Sequence, residues 1–154
     1  GPAIDQCISG HEFEVLAIPF NLTSDWKARR RLKDSAAAAM TVIGYDAFPN
    51  QLIRTSAGAP AKAGLFRKTE PLAGAGTYAF LHATSGWTAE ELCLAYALTE
   101  PAFASIQVEA FRPEAIERLA AVTDRDLPTG VAAQIEMARF GEGANGQSSE
   151  RRRA

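Results

Sequence analysis

Two cysteines, two histidines and no long apolar run are all that this sequence of 154 residues offers to several common function classes. Cys7 and Cys93 lie far apart, with no CxxC pair and no histidine at zinc-ligand spacing, so no zinc or dithiol motif is written here. Both read as ordinary thiols of a reducing compartment, and the expected location is cytoplasmic. His11 and His82 are isolated, without an acidic or nucleophilic companion pattern, and read as surface or hydrogen-bonded side chains. No apolar stretch approaches the roughly 20 residues of a membrane span, and no signal peptide is visible. Neither sign of charge is in marked excess, with 16 basic and 18 acidic residues. A net charge of −2 gives no global pull toward nucleic acid or a membrane surface. Glycine is plentiful between Thr69 and Gly76, yet the lysine and the strand–loop–helix setting of a phosphate loop are missing.

What remains is an ordinary globular composition, 47% hydrophobic and 22% charged, long enough for one domain with a core of its own. Gly1-Pro2 has the form of a protease-cleavage scar, 3–140 read as one domain, and 141–154 as a polar, glycine-rich tail expected to be disordered. Ile4–Gly10 reads as the end of a helix. Phe13–Pro19 is an apolar strand stopped by proline, and Thr41–Tyr45 is a second β-rich run. Between them, Asn21–Asp25 supplies N-caps for a helix whose Lys27–Lys33 run is a solvated charged face. Residues 46–77 read mostly as loop, with a helical stretch near Tyr78–His82. Thr88 followed by Glu91 has the spacing of a capping box and opens an apolar helix to Leu98. Phe103–Val108 is the third strand, Arg112-Pro113-Glu114 opens a helix to about Val122, and Thr129–Phe140 is the last helix. Trp26 and Trp87, near helix starts, read as core anchors. The alternation of strand and helix predicts an α/β fold with parallel strands and helical crossovers. Three strands cannot close a barrel of eight.

Three stretches, in order, resemble the second half of the aldo/keto reductase barrel. Phe13-Glu14-Val15-Leu16-Ala17-Ile18-Pro19-Phe20-Asn21-Leu22 is similar to that family's sixth strand, Val42-Ile43-Gly44-Tyr45-Asp46-Ala47-Phe48 to its seventh. Thr88 to Leu98, followed by Ser105 to Leu119, is similar to its closing helix, eighth strand and Arg-Pro-Glu helix. The likeness covers about residues 4–125 and implies a partial TIM-barrel unit of about three parallel strands with flanking helices. It also implies NADP as the family's cofactor and an Asp-Tyr-Lys-His catalytic set. That set belongs to the first half of the barrel, which nothing here resembles, so no catalytic residue is assigned.

Carried over one at a time, the family's cofactor positions are mostly altered. Ala17 stands where a glutamine meets the nicotinamide carboxamide. Tyr45 keeps the aromatic that stacks under the nicotinamide. Asp46 replaces a serine and Gln51 a glycine at the pyrophosphate, putting a carboxylate beside an anion and a side chain where backbone must approach. At the adenosine end the aligned residues are Glu109, Ala110, Phe111, Ala115, Arg118 and Leu119, and only Arg112 could still meet a phosphate. Tyr45 and Arg112 are therefore the vestigial cofactor residues, and no working cofactor is expected. These altered positions point to a non-catalytic interaction or regulatory module with a protein partner or a second copy of itself, and the charge balance gives no nucleic-acid or membrane partner. Val15–Ile18, Val42–Tyr45 and Ser105–Val108 read as apolar enough to need cover on both faces, so a homodimer is expected unless residues 46–84 fold back over the open side. The other reading is a C-terminal piece of a complete NADP-dependent reductase. A third is a ligand other than a dinucleotide at the strand ends.

Overall fold

A computed structural model of the chain describes residues 2–54 and 78–150. Helix α1 spans Pro2–Gly10, strand β1 Val15–Pro19, helix α2 Trp26–Ala37 and strand β2 Thr41–Tyr45. After a short helix α3, Asn50–Ile53, and a 3-10 turn at Ala79–His82, the chain forms α4 at Ala89–Leu98 and β3 at Phe103–Ile106. Helix α5, Pro113–Ala121, runs into a 3-10 turn at Val122–Asp124, and α6 spans Thr129–Glu150.

The three strands form one parallel sheet in the order β1-β2-β3, with Ala17 beside Ile43 and Ile43 beside Ser105. The expected α/β class, with about three parallel strands and flanking helices, is what is seen: an open sheet resembling part of a TIM barrel. Each crossover helix starts where its sequence supplies a cap. The Asp25 carboxylate accepts from Ala28 N at 3.0 Å to open α2, satisfying one of the amides a helix start leaves unpaired. At α4 the capping box is complete. Thr88 Oγ1 accepts from Glu91 N at 3.2 Å, and Glu91 Oε2 accepts from Thr88 N at 2.8 Å. Pro113 occupies the first turn of α5, where its missing N–H costs nothing.

Helix α4 is the centre of the molecule. Leu92, Cys93, Leu94, Ala95, Tyr96 and Ala97 are all buried, because the helix packs against the sheet on one side and against other helices around it. The main core joins Ile18, Phe20 and Leu22 of the first strand and its loop to Leu32, Val42, Leu81, Leu92 and Ile135. A second cluster sets Leu94 and Ala95 against Leu119 and Val122. Gly44 suits this packing. A Cβ there would lie 3.1 Å from the Phe103 ring and 3.3 Å from Ile106, tighter than ordinary contact, so a larger residue would require those side chains to shift by a few tenths of an ångström.

Four expectations are corrected. The strands read as apolar enough to need cover on both faces, but among the described residues only one face is covered. Ile18 and Val42 are buried, while Val15, Ala17, Pro19, Tyr45 and Ser105 on the other face are exposed; side chains alternate across a strand, and helices lie on one side. The third strand ends at Ile106, not Val108. The last helix continues to Glu150 rather than stopping at Phe140; once α6 is nucleated on Val131, Ile135 and Ala138, which are buried, each further residue adds a hydrogen bond without a new nucleation cost. Trp26 is 65% exposed instead of buried, its ring 5.8 Å from Lys27 Nζ. The stretch Thr69–Gly76 and residues 151–154 lie outside the described residues.

Candidate functional site

In parallel α/β folds, ligands gather at the C-terminal ends of the strands, where loops leave the sheet and helices begin. Here the ends of β2 and β3 frame a cleft of about 450 Å³ lined by Tyr45, Asp46, Ala47, Phe48, Asn50, Gln107, Val108, Glu109 and Phe111. Gln107 N donates to Gly44 O at 2.7 Å, carrying the pairing beyond β3 and holding one wall of the cleft against the other. Tyr45 is the last residue of β2 and lies beside Pro19 across the sheet. It is 40% exposed.

Asp46 turns the chain out of β2 with φ of 58°, a left-handed conformation that aspartate tolerates better than bulkier residues. Its carbonyl accepts from Asn21 Nδ2 at 3.0 Å. Asn21 Oδ1 in turn accepts from Thr23 N at 2.9 Å and Thr23 Oγ1 at 2.7 Å, so the loop after β1 clamps the loop after β2. Below the cleft Ala47 is buried and Phe48 packs against both core clusters. On the other wall, Phe111 projects with 95% of its surface exposed. Among the described residues, Asp46 and Glu109 are the charged side chains that line the cleft, and both are acidic.

The positions singled out from the sequence separate in space. Tyr45, Asp46, Glu109 and Phe111 come together in the cleft. Arg112 is the N-cap of α5, exposed and outside the cleft lining. Ala17 lies on the open sheet face beside Ile43, and Gln51 is exposed on α3. Leu119 is buried in the second core cluster, with Ala110 packed against that cluster. Arg118 reaches toward Glu91, Nε to Oε1 at 3.9 Å, and Arg125 toward Glu91 Oε2 at 3.6 Å. Glu91 is almost fully buried, so it holds the cap of α4 and both arginines at once. Arg125 also stacks on Trp87, 3.6 Å from the ring centroid, a cation–π geometry. Trp87 itself is half-buried and packs against both core clusters.

Sequence reasoning missed Asn50, Gln107 and Val108 in the cleft, which carry no motif. It also missed a polar network between α2, α4 and α6. Arg29 donates to the Tyr96 hydroxyl; that hydroxyl donates to Glu136 Oε1 at 3.1 Å; Arg139 donates to Glu136 Oε2 at 3.1 Å and to Ser24 O at 3.1 Å. Burial raises the Tyr96 hydroxyl above its ordinary value against the opposing pull of Arg139 and Arg29. The charged face of α2 is thus divided. Arg29 points to the core rim, while Arg31 pairs with Asp5 at 2.7 Å, a hydrogen bond that lowers the Asp5 carboxyl. His82 Nε2 lies 2.8 Å from Leu52 O, in keeping with the hydrogen-bonded reading, and His11 is exposed. Among the described residues no group of His, Cys, Asp or Glu is arranged to hold a metal ion. No helix there is long and apolar enough to cross a membrane.

No family model matches the chain, and no curated protein matches it in sequence. Seven solved chains match in structure. Among them, the aldo-keto reductase AKR11C1 from Bacillus halodurans, in its apo form, superposes with a TM-score of 0.61 at 13% sequence identity. The match covers 88% of this chain and 47% of the reductase, so the chain spans about half the length of the protein it is similar to. At that identity the likeness is one of fold: an aldo-keto-reductase-like part of a barrel.

Proposed function

We propose that this chain is a non-catalytic, aldo/keto-reductase-like half-barrel that works as an interaction module, without a working NADP site. The observation that carries the reading is the open sheet face. In a closed barrel that face points inward and is filled by the other strands. Here Val15, Ala17, Pro19, Tyr45 and Ser105 stand on it exposed, a surface suited to a complementary half or to a second copy. The altered cofactor positions support it. Leu119 serves the core, Arg118 leans on Glu91, and Asp46 sets a negative charge in the cleft where the family resemblance would place a pyrophosphate.

The alternative, the C-terminal part of a complete NADP-dependent reductase, is favoured by one fact: the chain spans 47% of the matched enzyme. Calorimetric titration with NADPH separates the two. The module reading expects no saturable binding below millimolar concentration and background rates of aldehyde reduction. Micromolar NADPH binding to this chain would overturn it and restore the reductase reading.

A further inference from the structure

We propose that the cleft at the ends of β2 and β3 binds an organic cation, an amine or guanidinium carried on an apolar or aromatic body. The inference stands on the cleft alone and does not need the open sheet face to have a partner. Its volume of about 450 Å³ lies within the range of small-molecule sites, roughly 300–1,000 Å³. Among the described residues its chemistry is one-sided. Tyr45, Phe48 and Phe111 supply ring surface, Asp46 and Glu109 supply negative charge, and Gln107 supplies an amide.

Neither carboxylate has an ion pair among the described residues. Ion pairs among the described residues hold the carboxylates of Glu91, Glu136, Asp5 and Asp34 elsewhere; what sets Asp46 and Glu109 apart from other carboxylates outside these pairs is that they line one cleft with three aromatic rings. Two carboxylates without an ion pair among the described residues, beside accessible rings, form the complement of a cation. The rings attract it through their negative faces, and the carboxylates through charge-assisted hydrogen bonds. Phe111 sharpens the point. A phenyl ring with 95% of its surface in water gains nothing for the fold, and it stands at the cleft's rim where a bound apolar body would cover it. The same arrangement repels phosphates, which separates this site from a residual dinucleotide site.

Calorimetric titration with phenethylamine, and with its near-isosteric anion 3-phenylpropanoate as control, tests the proposal. Phenethylamine is expected to bind saturably with a dissociation constant on the order of 0.1–1 mM, and the anion not to bind. The Asp46→Asn/Glu109→Gln double variant should weaken phenethylamine binding at least tenfold, since asparagine keeps the left-handed backbone at 46 and both amides keep the shape. Phe111→Ala, at a site too exposed to disturb folding, should weaken it several-fold. Equal binding of amine and anion, binding that survives the double variant, or no saturable binding of phenethylamine up to 10 mM would each overturn the proposal.

Discussion

Cys93 sits in the middle of α4 with no solvent contact, and burial, helped by the charge of Glu90, pushes its thiol up to about 12 from an ordinary 9.0. The sign of the consequence follows from linkage. The folded chain holds the proton more tightly than the unfolded one. The thiol's contribution to stability is therefore complete below pH 9, and is lost as pH rises from 9 through 12, at about 1.4 kcal/mol per pH unit. Alanine at 93 has no such dependence. The stability gap between the parent chain and Cys93→Ala, measured by urea unfolding from pH 8 to 11, should be constant to pH 9 and then shrink at about that slope. A gap that stays flat throughout would refute the assignment. The absence of any zinc or dithiol pattern already marked Cys93 as an ordinary thiol. How deeply it lies depends on α4 being enclosed on every side, and no single residue reports that. Phe111 teaches the opposite lesson. It looks like a core residue by type, and only the turn after β3 reveals it at a cleft rim.

Among the elements, α4 was the most legible, because Thr88, Glu91 and the apolar run after them specify a start, a direction and a buried fate within eleven residues. The closed capping box makes a firm prediction. Thr88→Ala should cost about 1 kcal/mol in unfolding free energy, read from the shift of the urea midpoint at unchanged slope, and Thr88→Ser should recover most of it. A loss below about 0.3 kcal/mol would mean the box does not hold α4 in solution. The strands were legible in place and in parallel order, since apolar runs between helical crossovers leave little choice. Their burial was not. Val15 and Ile18 look alike in sequence, yet one is 53% exposed and the other 2%; periodicity says that faces alternate, not which face receives a layer. The Arg29–Tyr96–Glu136–Arg139 network was silent for a related reason. Its members come from three helices, and a charged residue on a helix face looks the same whether it meets water or another helix.

At the scale of the whole molecule, the described residues leave an open parallel sheet with two edge strands and one uncovered face, a surface suited to a partner. Symmetric pairing is the commonest solution in soluble assemblies, so sedimentation equilibrium at micromolar concentration is expected to show a species of twice 16.5 kDa. A clean 16.5 kDa particle that melts cooperatively would refute the dimer. The candidate site was half legible. The resemblance drew attention to Tyr45, Asp46, Glu109 and Phe111, which do share a cleft, and also to Arg112, which does not line it. A linear alignment keeps the order of residues but says nothing of which way the first turn of α5 aims its side chain.

The order β1-β2-β3 also sets how the chain comes together in time. Ala17 meets Ile43 across a short crossover, whereas Ile43 meets Ser105 only after a much longer excursion through the chain. Closing the longer loop costs roughly 1 kcal/mol more in chain entropy, and contacts distant in sequence are the slow ones to form. The β1-α2-β2 unit is therefore expected to form first and β3 to dock late, so a substitution at Phe103 should speed unfolding more than it slows folding in stopped-flow kinetics. Until it docks, β2 has a bare edge, and the glycine that lets Phe103 settle against it waits for its neighbour.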